Sequence, residues 1–417
     1  MVTTPPTLIS NLRSFLSTLE AWLLIAILIL ALIVQVIYFS NVQSRYASHG
    51  LSSEDIYTAL ATNFKNHGLY GLGEEPDIER ETERPPFYAS ILVVIYSIVG
   101  ERPAIALIFN NLVLWLTIVV VYFIGRAVDP RVGLLAALIF ALDPAGVINA
   151  NKNEPTALYA LLIGSSFLAA INLFTPRATL KIALLGSVLL ALATLTRGPT
   201  LYIGVAISIA LIAVHNFSIR QIPTRAVIMI VLAFFSLQML LIGLWVARNN
   251  ATSGHYEYGG MSSHLYERFI PTLIAKRNRT DFKEAVAQLQ LDLEQLNTNQ
   301  SGKGQRSPSV SDSTQRVLKD PARAVMIILQ QIPVLFLDYP HAAAAVFFGE
   351  KDQDSLEEFL SQQVSKKPTG LDLRPTSSLI LHFSDKGPSL AFAHIMAFKL
   401  VYLLVMLAGI GGVVLFF

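Results

Sequence analysis

Apolar runs of about twenty residues recur along most of this chain, separated by short polar turns. They lie at about 21–39, 103–125, 131–149, 155–174, 179–196, 199–216, 226–247 and 389–417, and each approaches the ~20 residues that a spanning helix needs. Two apolar stretches break the pattern. Residues 87–99 (FYASILVVIYSIV) are too short to cross and read as a re-entrant or interfacial helix. Residues 324–348 are interrupted by Pro333, Asp338 and Pro340 and read as a segment that dips into the membrane. The pattern predicts an all-α polytopic membrane protein. Its expected parts are a core over 1–247 with a polar first loop at 40–88, a soluble segment at 248–323, a dipping segment and loop at 324–388, and a last span at 389–417. Within the soluble segment, 281–296 (DFKEAVAQLQLDLEQL) has helical apolar spacing, and 298–316 is polar and Gly/Ser-rich. No internal repeat at a fixed period is present.

Charge placement gives the spans an expected direction. Arg126 and Arg131, Arg177 and Lys181, and Arg220 and Arg225 occupy alternate short loops. By the inside bias for positive charge, those loops face the cytoplasm. Loop 40–88, the Asn149–Pro155 turn, the Arg197 turn and segment 248–323 then face outward. The N-terminal run lacks a persuasive cleavage site and reads as a retained first span. The chain stops at Phe416-Phe417 inside apolar sequence, so either the last helix ends at the far surface or more spans follow.

Composition agrees with the membrane reading. The chain has 417 residues, 53% of them hydrophobic and only 14% charged, against about 25% charged in an ordinary soluble domain. A net charge of +2 without a basic stripe argues against nucleic acid as a partner. Cysteine is absent, which removes disulfides, thiol catalysis and thiolate-bound metal.

The candidate chemistry gathers at the expected outer ends of the spans. Glu54 and Asp55 precede Tyr57 in a Ser-Ser-Glu-Asp start that reads either as a helix cap or as a catalytic acid pair. Glu79, Glu81 and Glu83 read as a solvated acidic face. Arg84-Pro85-Pro86-Phe87-Tyr88 leads into the short apolar helix. Asn153-Glu154-Pro155 opens a span, with Glu154 either a cap or a substrate contact. Arg197, in TLTRGPT, is a cation with almost no loop to hold it in water; it either binds an anion or snorkels to the headgroups. Arg248 ends another span. His49, His67, His255 and His264 have no metal-ligand spacing, and Asp352-Gln353-Asp354 is a weak DxD spelling, so no metal site is indicated.

Five of these motifs, in order over about residues 20–275, resemble the GT-C glycosyltransferases, and within them the branch of dolichyl-phosphate-mannose–protein mannosyltransferases and aminoarabinose transferases (the family 39/83-like enzymes). The residues carrying the resemblance are the acid–Tyr57 segment with Ala61, Asn63, Gly68 and Tyr70; Arg84-Pro85-Pro86-Phe87-Tyr88; Asn153-Glu154-Pro155; Leu192 to Arg197; and Trp245 to Gly254. The spacing departs from the family at the acid, because Glu54 lies three residues and Asp55 two before the tyrosine, so either can be the lead carboxylate.

The resemblance implies a GT-C-like helical bundle with outer-face juxtamembrane helices and a soluble loop region. It implies transfer of a monosaccharide from a polyprenyl-phosphate sugar, the donor substrate, to a lipid, glycan or protein acceptor. Asp55 or Glu54 would act as base, and Tyr57, Arg84, Tyr88, Asn153, Glu154, Arg197 and Arg248 would bind substrate. The expected setting is a multi-pass protein of a bacterial plasma membrane with its site facing outward and membrane lipid as partner; no cofactor is certain, and a divalent metal stays open although none is indicated. The alternatives are an oligosaccharide ligase or polymerase using a lipid-linked glycan and, further off, a lipid or sugar transporter.

Overall fold

The computed structural model describes residues 18–49, 56–173, 179–198, 200, 203–205, 207–209, 212, 224–253, 258–259, 269–280, 282–298, 317–324 and 326–327. Glu54 and Asp55, His255 and His264, the loop at 298–316 beyond its first residue, most of the dipping segment, the loop at 349–386 and the last span all lie outside these residues.

The chain divides into two compact units, Met1–Gly259 and Gly260–Phe417. In the first unit the elements are α1 (Leu19–His49), α2 (Ile56–His67), β1 (Gly71–Leu72), β2 (Glu79–Arg80), α3 (Phe87–Val99), α4 (Pro103–Arg126), α5 (Pro130–Leu142), α6 (Pro144–Ala150), α7 (Thr156–Leu173), α8 (Leu180–Thr194) and α9 (Thr224–Ser253). The described residues are thus all-α apart from a two-residue antiparallel hairpin, in which Gly71 pairs with Arg80 and Leu72 with Glu79. Among the described residues four helices are long and apolar enough to cross a membrane: Leu19–Ser40, Ala104–Arg126, Thr156–Leu173 and Ile228–Thr252. This is a polytopic membrane protein.

The short apolar run does form a helix of its own. At ~1.5 Å per residue, the 13 residues of α3 fall well short of the ~30 Å hydrocarbon core. The apolar run at 131–149, read as one span, is instead two helices. Asp143 takes an extended backbone (φ −65°, ψ 110°) and its carboxylate accepts the Ala145 N–H at 3.1 Å. A residue before proline is disfavoured in the helical region, so Asp143-Pro144 ends one helix and caps the next.

Helix α4 packs against both α5 and α7, α7 packs against α8, and α8 against α9. Small residues let the backbones approach. A Cβ on Gly133 would stand 2.7 Å from the Tyr122 carbonyl, and one on Gly125 would stand 2.8 Å from the Gly133 Cα. Deeper in the bundle Gly186 makes room for the Phe234 ring, 2.9 Å from where its Cβ would be, and Ser166 Oγ donates to the Gly186 carbonyl at 3.0 Å. At the end of α1 nearest α4's last turn, Glu20 accepts from Tyr122 and pairs with Arg126 at 3.0 Å. The candidate site lies at the opposite end of α4.

In the second unit, α10 (Ile270–Asn278) and α11 (Phe282–Thr298) pack through Ile270 and Leu289. The amphipathic pattern at 281–296 corresponds to α11. Leu273, Ala324 and Ile327 form a second small cluster.

Candidate functional site

The site is built where three chain connections are stitched together: residues 68–88, the turn after α8, and the end of α9. The motif residues carry most of the stitches. Asn63, in α2, donates through Nδ2 to the carbonyls of Gly71 and Gly73, both at 3.0 Å, and so folds the hairpin back on the helix. Gly68 follows α2 with φ +67° and its N–H bonds the Phe64 carbonyl, the left-handed helix ending that glycine adopts at least cost. Tyr70 is buried and its hydroxyl donates to the carbonyls of Arg84 (3.0 Å) and Pro85 (3.2 Å). Burial holds the Tyr70 phenol well above its ordinary pKa, so it remains a donor.

The end of α9 closes the arrangement. Arg248 lies over the Trp245 ring, 4.9 Å from its centroid, and within 5.7 Å of the Tyr70 centroid. Its guanidinium donates to the Glu81 carbonyl, to the Tyr70 carbonyl at 3.3 Å and to Asn249 Oδ1 at 3.0 Å. Asn249 Nδ2 donates to the Thr82 carbonyl at 3.0 Å. Trp245 Nε1 reaches the Tyr258 carbonyl at 2.8 Å, and the Tyr258 hydroxyl donates to the Thr194 carbonyl. The Phe87 N–H bonds the Leu195 carbonyl at 3.0 Å. The Arg-Pro-Pro segment is therefore fastened to both the α8 turn and α9.

A second network joins α2, α3, α4 and the turn before α7. Tyr88, fully buried, donates its hydroxyl to Asn153 Oδ1 at 2.8 Å. Asn153 Nδ2 donates to Thr58 Oγ1 at 2.8 Å, and Thr58 Oγ1 is 3.2 Å from the Tyr96 hydroxyl. Asn110, buried in α4, donates to the Tyr88 oxygen at 3.0 Å and to the Lys152 carbonyl at 2.9 Å. Asn110 was not singled out in the sequence. The Asn110-Asn111 pair inside an apolar run was the available signal, since polar side chains at membrane depth are costly unless bonded.

The expected site residues fall into two groups. Tyr88, Asn153 and Arg248 hold the local fold through the bonds above. Arg84, Glu154 and Arg197 lie within electrostatic reach of the Tyr57 phenol. The Tyr57 phenol is raised above its ordinary pKa by burial; Arg84 and Arg197 pull it down, and Glu154 and Glu81 push it up. Its ring also meets Tyr88 edge to face at 5.3 Å. Arg197 is exposed, and its NH1 donates to Thr156 Oγ1 at 3.0 Å in the first turn of α7. Glu154 is exposed one residue before Pro155. Glu54 and Asp55 lie just before α2, outside the described residues.

The acidic tract requires a correction. Glu79 and Glu83 are exposed, as expected of a solvated face, but Glu81 is only 7% exposed. Its Oε1 accepts the N–H groups of Glu83 (2.7 Å) and Arg84 (3.2 Å), and its Oε2 takes Arg84 NH1 at 2.6 Å. Arg84 is lowered by burial but raised more by this bond and by the charge of Glu81, so its cationic form is reinforced. Among the described residues no group of three or more His, Asp or Glu side chains converges as metal ligands.

This end of the bundle offers two arginines and a protonated phenol within electrostatic reach of one another, which suits an anion at a membrane surface. Residues 83–240 match the family model of dolichyl-phosphate-mannose-protein mannosyltransferases. The matched stretch runs from the Arg-Pro-Pro segment into α9 and contains Arg84, Tyr88, Asn153, Glu154 and Arg197. It supports the resemblance to the GT-C mannosyltransferases and, more generally, a glycosyltransferase-type activity. No curated protein matches the chain.

Proposed function

We propose that the protein is a GT-C type glycosyltransferase that moves a monosaccharide from a polyprenyl-phosphate donor to an acceptor hydroxyl or phosphate at the outer face of a bacterial plasma membrane. The observation that carries this reading is that Arg84 and Arg197 both act electrostatically on the half-buried Tyr57 phenol, whose ring packs edge to face on Tyr88 at 5.3 Å. The leaving group of such a transfer is a lipid phosphate monoester. Its developing charge needs fixed cations close to the lipid, and a guanidinium presents a fork of donors matched to phosphate oxygens. Arg197, bonded only to the neutral Thr156 hydroxyl among the described residues, keeps its full charge for that task. The Tyr57 phenol, held protonated, can donate a hydrogen bond to the same oxygens.

Asp55 or Glu54, one or two residues before α2, takes the proton of the acceptor as general base, a role worth about 10²–10⁴-fold in rate. The acceptor oxygen forms its bond to the sugar's anomeric carbon as the bond from that carbon to the phosphate oxygen breaks. The anomeric configuration inverts and polyprenyl phosphate leaves with the bonding electrons. Arg248, with its fork on backbone carbonyls and its face on Trp245, acts by holding the hairpin rather than by touching phosphate.

The test is a transfer assay on membranes with a panel of radiolabelled polyprenyl-phosphate hexoses and pentoses. The wild type transfers label from at least one donor, and the Glu54→Gln/Asp55→Asn double variant does not, while accumulating to the same level. Full activity in the double variant refutes the assignment of the base. Transfer of a lipid-linked oligosaccharide but of no monosaccharide would replace the reading with that of a ligase or polymerase.

A further inference from the structure

Glu81 is a buried carboxylate that neither the family resemblance nor the proposed mechanism uses. Its backbone is fixed on both sides: its N–H bonds the Tyr70 carbonyl at 2.9 Å, and its own carbonyl accepts from Arg248. Its two carboxylate oxygens do different things. Oε1 accepts the Glu83 and Arg84 N–H groups and so caps the tight turn before Pro85, and Oε2 takes the Arg84 guanidinium. Closing the turn alone would need only a neutral acceptor, and a buried carboxylate is costly unless paired. The second oxygen is therefore the informative one. Arg84 is tied at three points: its N–H to Glu81, its carbonyl to the Tyr70 hydroxyl, and NH1 to Glu81.

We infer that Glu81 is a positioning residue that aims the Arg84 guanidinium at the leaving phosphate of the lipid donor. The inference rests on the proposed reading of Arg84 as a ligand of that phosphate. It also separates the roles of the two arginines. Glu81 offsets the charge of Arg84, so Arg84 contributes direction more than field, while Arg197, which makes no ion pair among the described residues, contributes more of the field. A guanidinium held in advance does not have to be ordered during the reaction, and small misplacements of a reacting contact can reduce rate by up to ~10²-fold.

The distinguishing experiment is a double-mutant cycle on detergent-purified protein, using the donor from the polyprenyl-phosphate panel that the wild type accepts. Glu81→Gln keeps an oxygen for the two turn N–H groups but points an amide at Arg84. It is expected to lower kcat at least tenfold without raising the KM for donor, because the released guanidinium keeps its charge and loses its aim. Arg84→Ala lowers kcat as well, and adding Glu81→Gln to Arg84→Ala lowers it no further, since nothing is left to aim. If Glu81 only supports the fold, the two losses multiply in the double variant, or Glu81→Gln leaves kcat unchanged; either result overturns the inference while the proposed function stands. If Glu81→Gln does not accumulate as folded protein, Glu81→Asp, which keeps the charge but is one methylene too short to span turn and guanidinium, is read in the same way. A wild type that uses no donor of the panel sinks the proposed function, and this inference with it.

Discussion

The Tyr88 hydroxyl donates to Asn153 Oδ1 at 2.8 Å, joining the first turn of the 13-residue helix α3 to a turn 65 residues further on. The bond is partly buried and shared: Asn110 donates to the same hydroxyl, and Asn153 passes the connection on to Thr58 in α2. Tyr88→Phe would leave an Asn153 acceptor and an Asn110 donor without this partner, at about 1–3 kcal/mol for buried groups. Thermal unfolding of the detergent-solubilised variant is expected at a clearly lower temperature than wild type. An unchanged midpoint would show that water replaces the hydroxyl without loss.

A paired glycine test probes the stitching at the end of α9. Gly259 sits at φ +120°, and a Cβ there would stand 2.4 Å from the Glu83 carbonyl oxygen. Gly259→Ala is expected to destabilise the protein by more than ~1 kcal/mol through both strain and clash. Gly243, within α9, has nothing within 4 Å of its would-be Cβ, and Gly243→Ala should be neutral or stabilising by up to ~1 kcal/mol. The two midpoints, measured side by side, should move in opposite directions or leave Gly243→Ala unchanged.

The Lys65–Glu101 pair gives a pH signature. The two side chains meet at 2.7 Å, and the hydrogen bond from Lys65 is the largest cause holding Glu101 below its ordinary pKa of 4.5. A depressed carboxylate contributes stability that is present above its unfolded pKa and is lost as pH falls through the folded value. Lys65→Met should therefore lower stability at neutral pH, by no more than ~1 kcal/mol for so exposed a pair, and should make no difference once Glu101 is protonated in strong acid. A deficit that persists unchanged in acid would assign the effect to packing instead.

Tyr57 supplies an activity counterpart. Burial raises its phenol above the ordinary value of 10.0 despite the pull of Arg84 and Arg197, so it stays a hydrogen-bond donor through the alkaline range. Tyr57→Phe is expected to weaken donor use at every pH up to about 10 by a constant factor. A variant whose deficit appears only on one side of neutrality would mean that the phenol titrates within the working range.

Much of the architecture could be read along the chain because membrane burial writes itself as length. Pro85-Pro86 and the shortness of 87–99 were enough to separate α3 from the spans. Asp143-Pro144 carried the break between α5 and α6, but the surrounding apolar run concealed it, since hydropathy averages over a single capped residue. Around the candidate site the motif residues were legible and their division of labour was not. Glu79, Glu81 and Glu83 alternate identically in sequence, yet only the backbone carbonyl of the middle one is held by Arg248, 167 residues away. Likewise nothing local distinguishes Arg248, stacked on Trp245, from Arg197, which is exposed. Local pattern decides which residues gather at this end of the bundle; long-range partners decide which of them are tied to the backbone and which stay exposed.

The account stands or falls on whether that end of the bundle recognises lipid phosphate. Binding of polyprenyl phosphate and of the matching uncharged polyprenol to detergent-purified protein measures this directly, in wild type and in Arg197→Ala. The prediction is that wild type binds the phosphate at least tenfold more tightly than the alcohol, and that Arg197→Ala loses most of that preference while its affinity for the alcohol is unchanged. Equal binding of phosphate and alcohol by the wild type, or a preference that survives intact in Arg197→Ala, would contradict it.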